Sequence, residues 1–142
     1  MFAILSTSPP GNVTVTFSRY IDHGESLDIS LRNRGSTRGA KEVRAANFIL
    51  GHRVCQSAMK VRTVHDLKDF PRAYLRSPTG SEVKYRSFMI FPVLSPASVE
   101  GPQTVIGFVS IDCEMPYAFY GDRATMMTAI IGPMIKQIAQ RT

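Results

Sequence analysis

Two nearly unbroken apolar runs, Ser87 to Leu94 (SFMIFPVL) and Thr104 to Cys113 (TVIGFVSIDC), set the strongest constraint on what this chain can become. A strand with one wet face alternates apolar and polar residues, whereas a strand covered on both faces has no need to. Both runs are rich in β-branched and aromatic side chains and far shorter than the roughly 20 residues of a membrane span. They read as the central strands of a sheet covered on both sides. Ser95 to Pro102, rich in Pro, Ser and Gly, joins them as a hairpin-type connector. Pro92, with no amide hydrogen, requires a bulge or an unpaired position.

The rest of the chain supplies partners for these strands. Asn12 to Tyr20 alternates Val13, Val15 and Phe17 with Thr and Ser, and Ser26 to Arg32 alternates Leu27, Ile29 and Leu31 with Asp28 and Ser30. With the turn-forming Asp22-His23-Gly24-Glu25 between them, they predict a β-hairpin. Ser36 or Thr37 can cap a helix beginning near Arg38, with Ala45, Phe48 and Ile49 on its apolar face, and His52 to Met59 is expected to continue it. Lys60 to Val64 alternates again as a short strand, closed by the turn His65 to Pro71. Residues 71 to 84, poor in apolar side chains, predict a long surface loop of the kind often tied to function. From Asp122, placed as a cap, the periodicity predicts a closing helix. A stripe at Met127, Ile131, Met134 and Ile138 faces the sheet, with Met126, Ile130 and Ile135 left outside it and a kink at Gly132-Pro133. The fold class expected is α+β, a central antiparallel sheet of five to six strands with helices packed on it.

Charge and cysteine usage narrow the function classes. Residues 1 to 86 carry 14 basic and 7 acidic side chains, and residues 87 to 142 carry 3 basic and 4 acidic. The surplus clusters at Arg32, Arg34, Arg38, Lys41 and Arg44, but no helix-turn-helix, zinc-finger or aromatic RNA-binding signature accompanies it, so nucleic acid is a poor fit as partner. Cys55 and Cys113 lie in no CxxC and have no zinc spacing, which argues against a metal site or a disulfide scaffold and favours a reducing, cytoplasmic setting. Met1 to Leu5 lacks the basic region and length of a signal peptide, and no stretch predicts a membrane span.

Phe91-Pro92-Val93, Ile106-Gly107-Phe108-Val109-Ser110-Ile111-Asp112, Phe119 and Asp122 follow in order and spacing the pattern of GAF domains. In those domains a strand ends in Pro and an aliphatic residue. A second strand reads hydrophobic-Gly-hydrophobic-hydrophobic-Ser-hydrophobic-Asp, and an aromatic, an Asp and an aliphatic helix follow. Upstream, VRTVHDLKDFPR resembles the family's strand and Asp-containing turn before the ligand-covering loop. The resemblance covers residues 12 to 140, giving a tail or remnant of a preceding segment over 1–11 and a single GAF-like domain over 12–142. The helix that usually opens the family has no counterpart in Met1 to Gly11, so either a piece of a longer protein or a variant domain lacking that helix is expected. Also missing are the Asn-Lys-Phe-Asp-Glu signature of cyclic-nucleotide binders and the Asp-Ile-Pro and Cys arrangement of bilin photoreceptors, so the resemblance names no cofactor.

What the resemblance implies is a non-catalytic sensory or regulatory domain that binds a small molecule under the Pro71 to Tyr85 loop and signals through its terminal helix. An aromatic surface with guanidinium groups suits a planar anion, and the residues expected at that site are His65, Asp66, Arg72, Tyr74, Tyr85 and Arg86. Surplus apolar residues on the last helix predict a homodimer through it. Two alternatives stand beside this reading. One is a ligand-free dimerisation module of a signalling protein. The other is a cysteine-dependent free methionine sulfoxide reductase, an activity of some members of the family, which would draw on Cys55 and Cys113.

Overall fold

The structure, a computed structural model, describes residues 13–32, 42–47, 51, 59–70, 85–96 and 101–141. Six described strands form one antiparallel sheet: β1 (Val13–Ile21), β2 (Ser26–Arg32), β3 (Glu42–Arg44), β4 (Arg62–Val64), β5 (Ser87–Leu94) and β6 (Val105–Cys113), in the order β3-β2-β1-β6-β5-β4. One helix, α1 (Asp122–Arg141), closes the chain. The two apolar runs are therefore neighbours, β6 at the centre and β5 between it and the edge strand β4, with Ser87 opposite Cys113 and Phe91 opposite Val109.

Their composition follows from burial on both faces. On the helix face, Met89, Phe91, Val93, Val109, Ile111 and Cys113 pack with Phe119 and with Met127, Ile131 and Ala139 of α1. On the far face, Phe88, Ile90 and Phe108 join Leu27, Ala45, Val64 and Leu67 in a second apolar cluster. Because successive side chains of a strand alternate between faces, β5 is apolar at every position after Ser87.

Irregularities fall where the residues require them. Gly107 lies where β1 comes closest, and a Cβ there would overlap the Ser18 carbonyl oxygen. The register slips between Val93 and Leu94. β4 pairs only with Phe88 to Ile90, so at Pro92 β5 has a described neighbour on one side alone, a position that tolerates a missing amide. The β1–β2 hairpin turns through a single 3-10 turn, Asp22–Gly24, with Asp22, His23 and Gly24 all at positive φ.

Three expectations need correction. Over 42–47 the helix read from Arg38 onward is instead β3, Glu42–Arg44, followed by a 3-10 turn, Ala45–Asn47; the rest of that reading, 36–41, 48–50 and 52–58, lies outside the described residues. Val43 pairs with Leu27 on the outer edge of β2, and Ala45 donates its amide to the Glu25 carbonyl, so tertiary pairing overrides a weak local preference. The arc of α1 that meets the sheet is Ala124, Met127, Ile131, Ile135, Ile138 and Ala139. It is rotated from the expected stripe far enough to bring Ile135 in and leave Met134 49% exposed. Finally, Asp122 is the first helical residue, reached through Gly121 at φ +61, where its carboxylate lies at the positive end of the helix dipole. The helix runs unbroken through Pro133. Residues 1–12, the 71–84 loop and Cys55 lie outside the described residues.

Candidate functional site

The end of β4, the start of β5 and the end of β6 meet at one end of the sheet and are tied together by backbone hydrogen bonds. Leu67 donates its amide to the Arg86 carbonyl (2.6 Å), Arg86 donates to Cys113 (2.8 Å), and Tyr117 donates to His65 (2.7 Å). The Ser87 hydroxyl adds a bond to the Met115 carbonyl (2.6 Å). Four of the six expected site residues lie here. Asp66 caps the 3-10 turn Leu67–Asp69 by accepting from the Lys68 amide. Its carboxylate also takes a forked pair of bonds from Arg86, Nη2 to Oδ2 at 2.5 Å and Nε to Oδ1 at 3.3 Å. Those bonds hold the Asp66 carboxyl below the usual carboxylate range and raise the Arg86 guanidinium above its ordinary value. Nη1 of Arg86 takes no part in the pair.

His65 lies in an aromatic group that sequence reasoning did not assemble. Its ring stacks on Tyr117 (5.8 Å, 7° between planes) and meets the edge of Tyr120 (5.3 Å, 72°), while the two tyrosines contact each other edge to face. Nδ1 of His65 is buried without a hydrogen-bond partner. Tyr117 sits at φ +58, a backbone conformation no sequence pattern announces. Tyr85 points another way, its ring edge-on to Phe88 at 5.6 Å, so it belongs to the far-face cluster. Arg72 and Tyr74 lie outside the described residues.

The far face has an uneven chemistry across the sheet. Reading across β1, β6, β5 and β4, one row is Thr14, Asp112, Phe88 and Val64, and the next is Thr16, Ser110, Ile90 and Arg62. Polar residues thus occupy the β1–β6 side and large apolar ones the β5 side. Thr16 and Asp112 are only 7% and 5% exposed. Asp112 has an interaction partner, but the Thr16 hydroxyl is buried with none. A buried hydroxyl without a partner is uncommon and costly, which singles Thr16 out among the far-face residues. The signal was in the sequence as Thr and Ser within strand patterns, indistinguishable there from a wet face.

Cys113 lies on the opposite side. It is a free, buried thiol in the helix-face cluster, and burial pushes its pKa up, the reverse of what a nucleophilic thiolate needs. Among the described residues no helix is long and apolar enough to cross a membrane.

No family model and no curated protein matches the chain, but solved structures do. A GAF domain structure aligns with a TM-score of 0.60 at 13% identity, covering 92% of this chain and 64% of that one, so the chain spans somewhat less than two thirds of its length. The type II free methionine-R-sulfoxide reductase of Thermoplasma acidophilum aligns with a TM-score of 0.61 at 19% identity over 95% of this chain and 86% of that one. Residues 122 to 287 of a methyl-accepting chemotaxis protein align with a TM-score of 0.64 at 12% identity over 90% and 77%. At these identities the likeness speaks for architecture, and it agrees with the strand order and terminal helix described above: the chain has an α+β, GAF-like fold.

Proposed function

We propose that this chain is a non-catalytic sensory or regulatory module of a larger, cytoplasmic protein, binding a small molecule on the far face of its sheet beneath residues 71–84 and passing occupancy to a partner through α1. The observation that carries the reading is the buried, unpartnered Thr16 hydroxyl, set beside Ser110 and Asp112 and facing an apolar floor of Phe88, Ile90 and Phe108. A few placed polar groups against a largely apolar surface are what a small-molecule site requires. Tyr85 and Arg86 stand where the 71–84 segment returns to the sheet. Arg86 spends Nε and Nη2 on Asp66, and its side chain is 36% exposed, which lets it share an anionic group while holding Asp66. Arg72 and Tyr74 would meet the same ligand from the loop, and His65 and Asp66 form the rim.

Two further observations support this reading. Cys113 packs toward α1, away from the far face, with its thiol pKa raised, which disfavours a reductase using that residue. Met126 and Met134 are exposed and Ile130 half-buried, four residues apart along the outer side of α1, the arrangement expected of a helix that pairs with a second copy. Native mass spectrometry of the purified chain tests ligand and assembly together. The reading predicts a retained species of small-molecule mass and a dimer. Dimer without any bound mass, even after incubation with a cell extract, would favour the ligand-free dimerisation module instead.

A further inference from the structure

At the opposite end of the sheet from His65 and Arg86, a cleft of about 520 Å³ opens between the β1–β2 turn, the β5–β6 connector and the last turns of α1. Its volume falls within the range of small-molecule sites. Its chemistry is divided. Ile106 and Ala139 of α1, both of the helix-face cluster, together with Pro96 and Val105 give it apolar lining, and Arg19 and His23 supply its basic groups. Among the described residues no carboxylate lines it, and the guanidinium of Arg19 makes no ion pair with a described residue. Asp28 lies opposite Arg19 in the strand register but has an interaction of its own. Asp22 and Glu25 belong to the same turn as His23 without lining the cleft.

Both walls are fixed in place. Ser95 and Thr104 bind each other across the connector, with Ser95 donating its amide to the Thr104 carbonyl (2.8 Å) and Thr104 donating its amide to the Ser95 hydroxyl (2.9 Å). The Gln103 side chain adds a third bond, to the Ser95 carbonyl. On the other side, the Glu25 amide closes the turn onto Asp22 and the Glu25 carbonyl accepts from Ala45. His23 is held there at φ +54. A preformed cleft of this kind loses little order when filled.

We propose that this cleft is a second binding site, for a compact organic carboxylate whose charge is taken by Arg19, with His23 as a second donor, and whose apolar body lies on Ile106 beside Ala139. A guanidinium matches a carboxylate with two parallel bonds. The carbonyl end of a helix repels an anion, so the ligand's charge must point away from Ala139, toward Arg19, and its apolar end toward Ala139. An occupant therefore touches the β1–β2 turn and the last turn of α1 at once.

Amide shifts in a nitrogen-15 spectrum of the full chain, titrated in parallel with benzoate, its neutral isostere benzamide and inorganic phosphate, test the proposal. Expected is a saturable benzoate response centred on Gly24, Val105, Ile106 and Ala139, at least tenfold weaker for benzamide and for Arg19→Gln. Arg19 is exposed, so the variant's own spectrum reports that the fold is kept. His23→Asn, which suits a left-handed turn, should weaken benzoate less than Arg19→Gln does. A response to phosphate as strong as to benzoate would overturn the carboxylate assignment, and equal binding of benzamide would remove Arg19 as anchor. A benzoate footprint on Thr16, Phe88 and Ser110 would refute this site while supporting the far-face pocket, so the two readings fail separately.

Discussion

Replacing Thr16 by Val removes the one feature on which the far-face pocket rests while keeping the outline of the side chain. The hydroxyl is buried without a partner, and such a group costs about 1–3 kcal/mol relative to a state in which it is bonded or absent. Thr16→Val should therefore stabilise the ligand-free protein by about 1–3 kcal/mol. For 142 residues, an unfolding entropy of about 2.1 cal/mol/K per residue gives about 0.3 kcal/mol per degree, so Tm should rise by roughly 3–10 °C. Thr16→Ser is the control: it keeps the hydroxyl and loses a methyl group, which should lower stability by about 1 kcal/mol. Calorimetry or urea titration of protein stripped of ligand by unfolding and refolding reads both. The same Thr16→Val variant should lose most of the thermal stabilisation that a bound ligand confers on the wild type. A variant less stable than wild type by 1 kcal/mol or more would mean that the hydroxyl has a partner in the empty protein, and the reasoning from it would collapse.

Three further expectations follow from the same structure. Because the Asp66 carboxyl is held below its ordinary value of 3.8 by Arg86, the ion pair contributes stability that is present above that value and lost as pH falls below it; Asp66→Asn and Arg86→Gln should each flatten the acid limb of a Tm-against-pH curve, and an unchanged limb would show that the pair does not matter. Ile130→Lys should leave Tm nearly unchanged yet abolish dimers in sedimentation, since Ile130 is half-buried on the outer side of α1; unfolding of the variant would place it in the core. In a Cys55→Ser background, Cys113 should react with a thiol reagent only as fast as the protein opens, because the thiol is buried with its pKa raised, and rapid stoichiometric reaction under native conditions would revive the reductase reading.

The parts of this fold legible in the sequence were those in which one physical requirement dominates. β5 is bounded by the residues of its apolar run, Ser87 and Leu94, because burial on both faces leaves no other pattern. β2 and the turn after His65 were legible for related reasons, a strict alternation in one and the capping Asp66 in the other. β3 was not, since three residues pairing on the edge of β2 carry less signal than the helical spacing around them. On α1 the helix itself was evident but its rotation was not. Met134 and Ile135 are equally apolar, and only the packing against Phe119 and the sheet decides between them. At the rim, His65, Asp66 and Arg86 were picked out individually, yet the Arg86–Asp66 pair joins residues 20 apart and the His65–Tyr117 stack depends on how β4 and β6 end. Neither has a local sequence signature. Thr16 was read only as one of the polar residues on a wet strand face, although the far face turned out to be covered.

The central claim is that the far face receives a ligand, and a crystal structure of the protein purified from its own cells tests it most directly. The account predicts density for a small molecule over Ile90 and Phe108, bonded to the Thr16 hydroxyl and within reach of Arg86. A far face filled wholly by the chain's own side chains, with the Thr16 hydroxyl bonded to one of them, would contradict it.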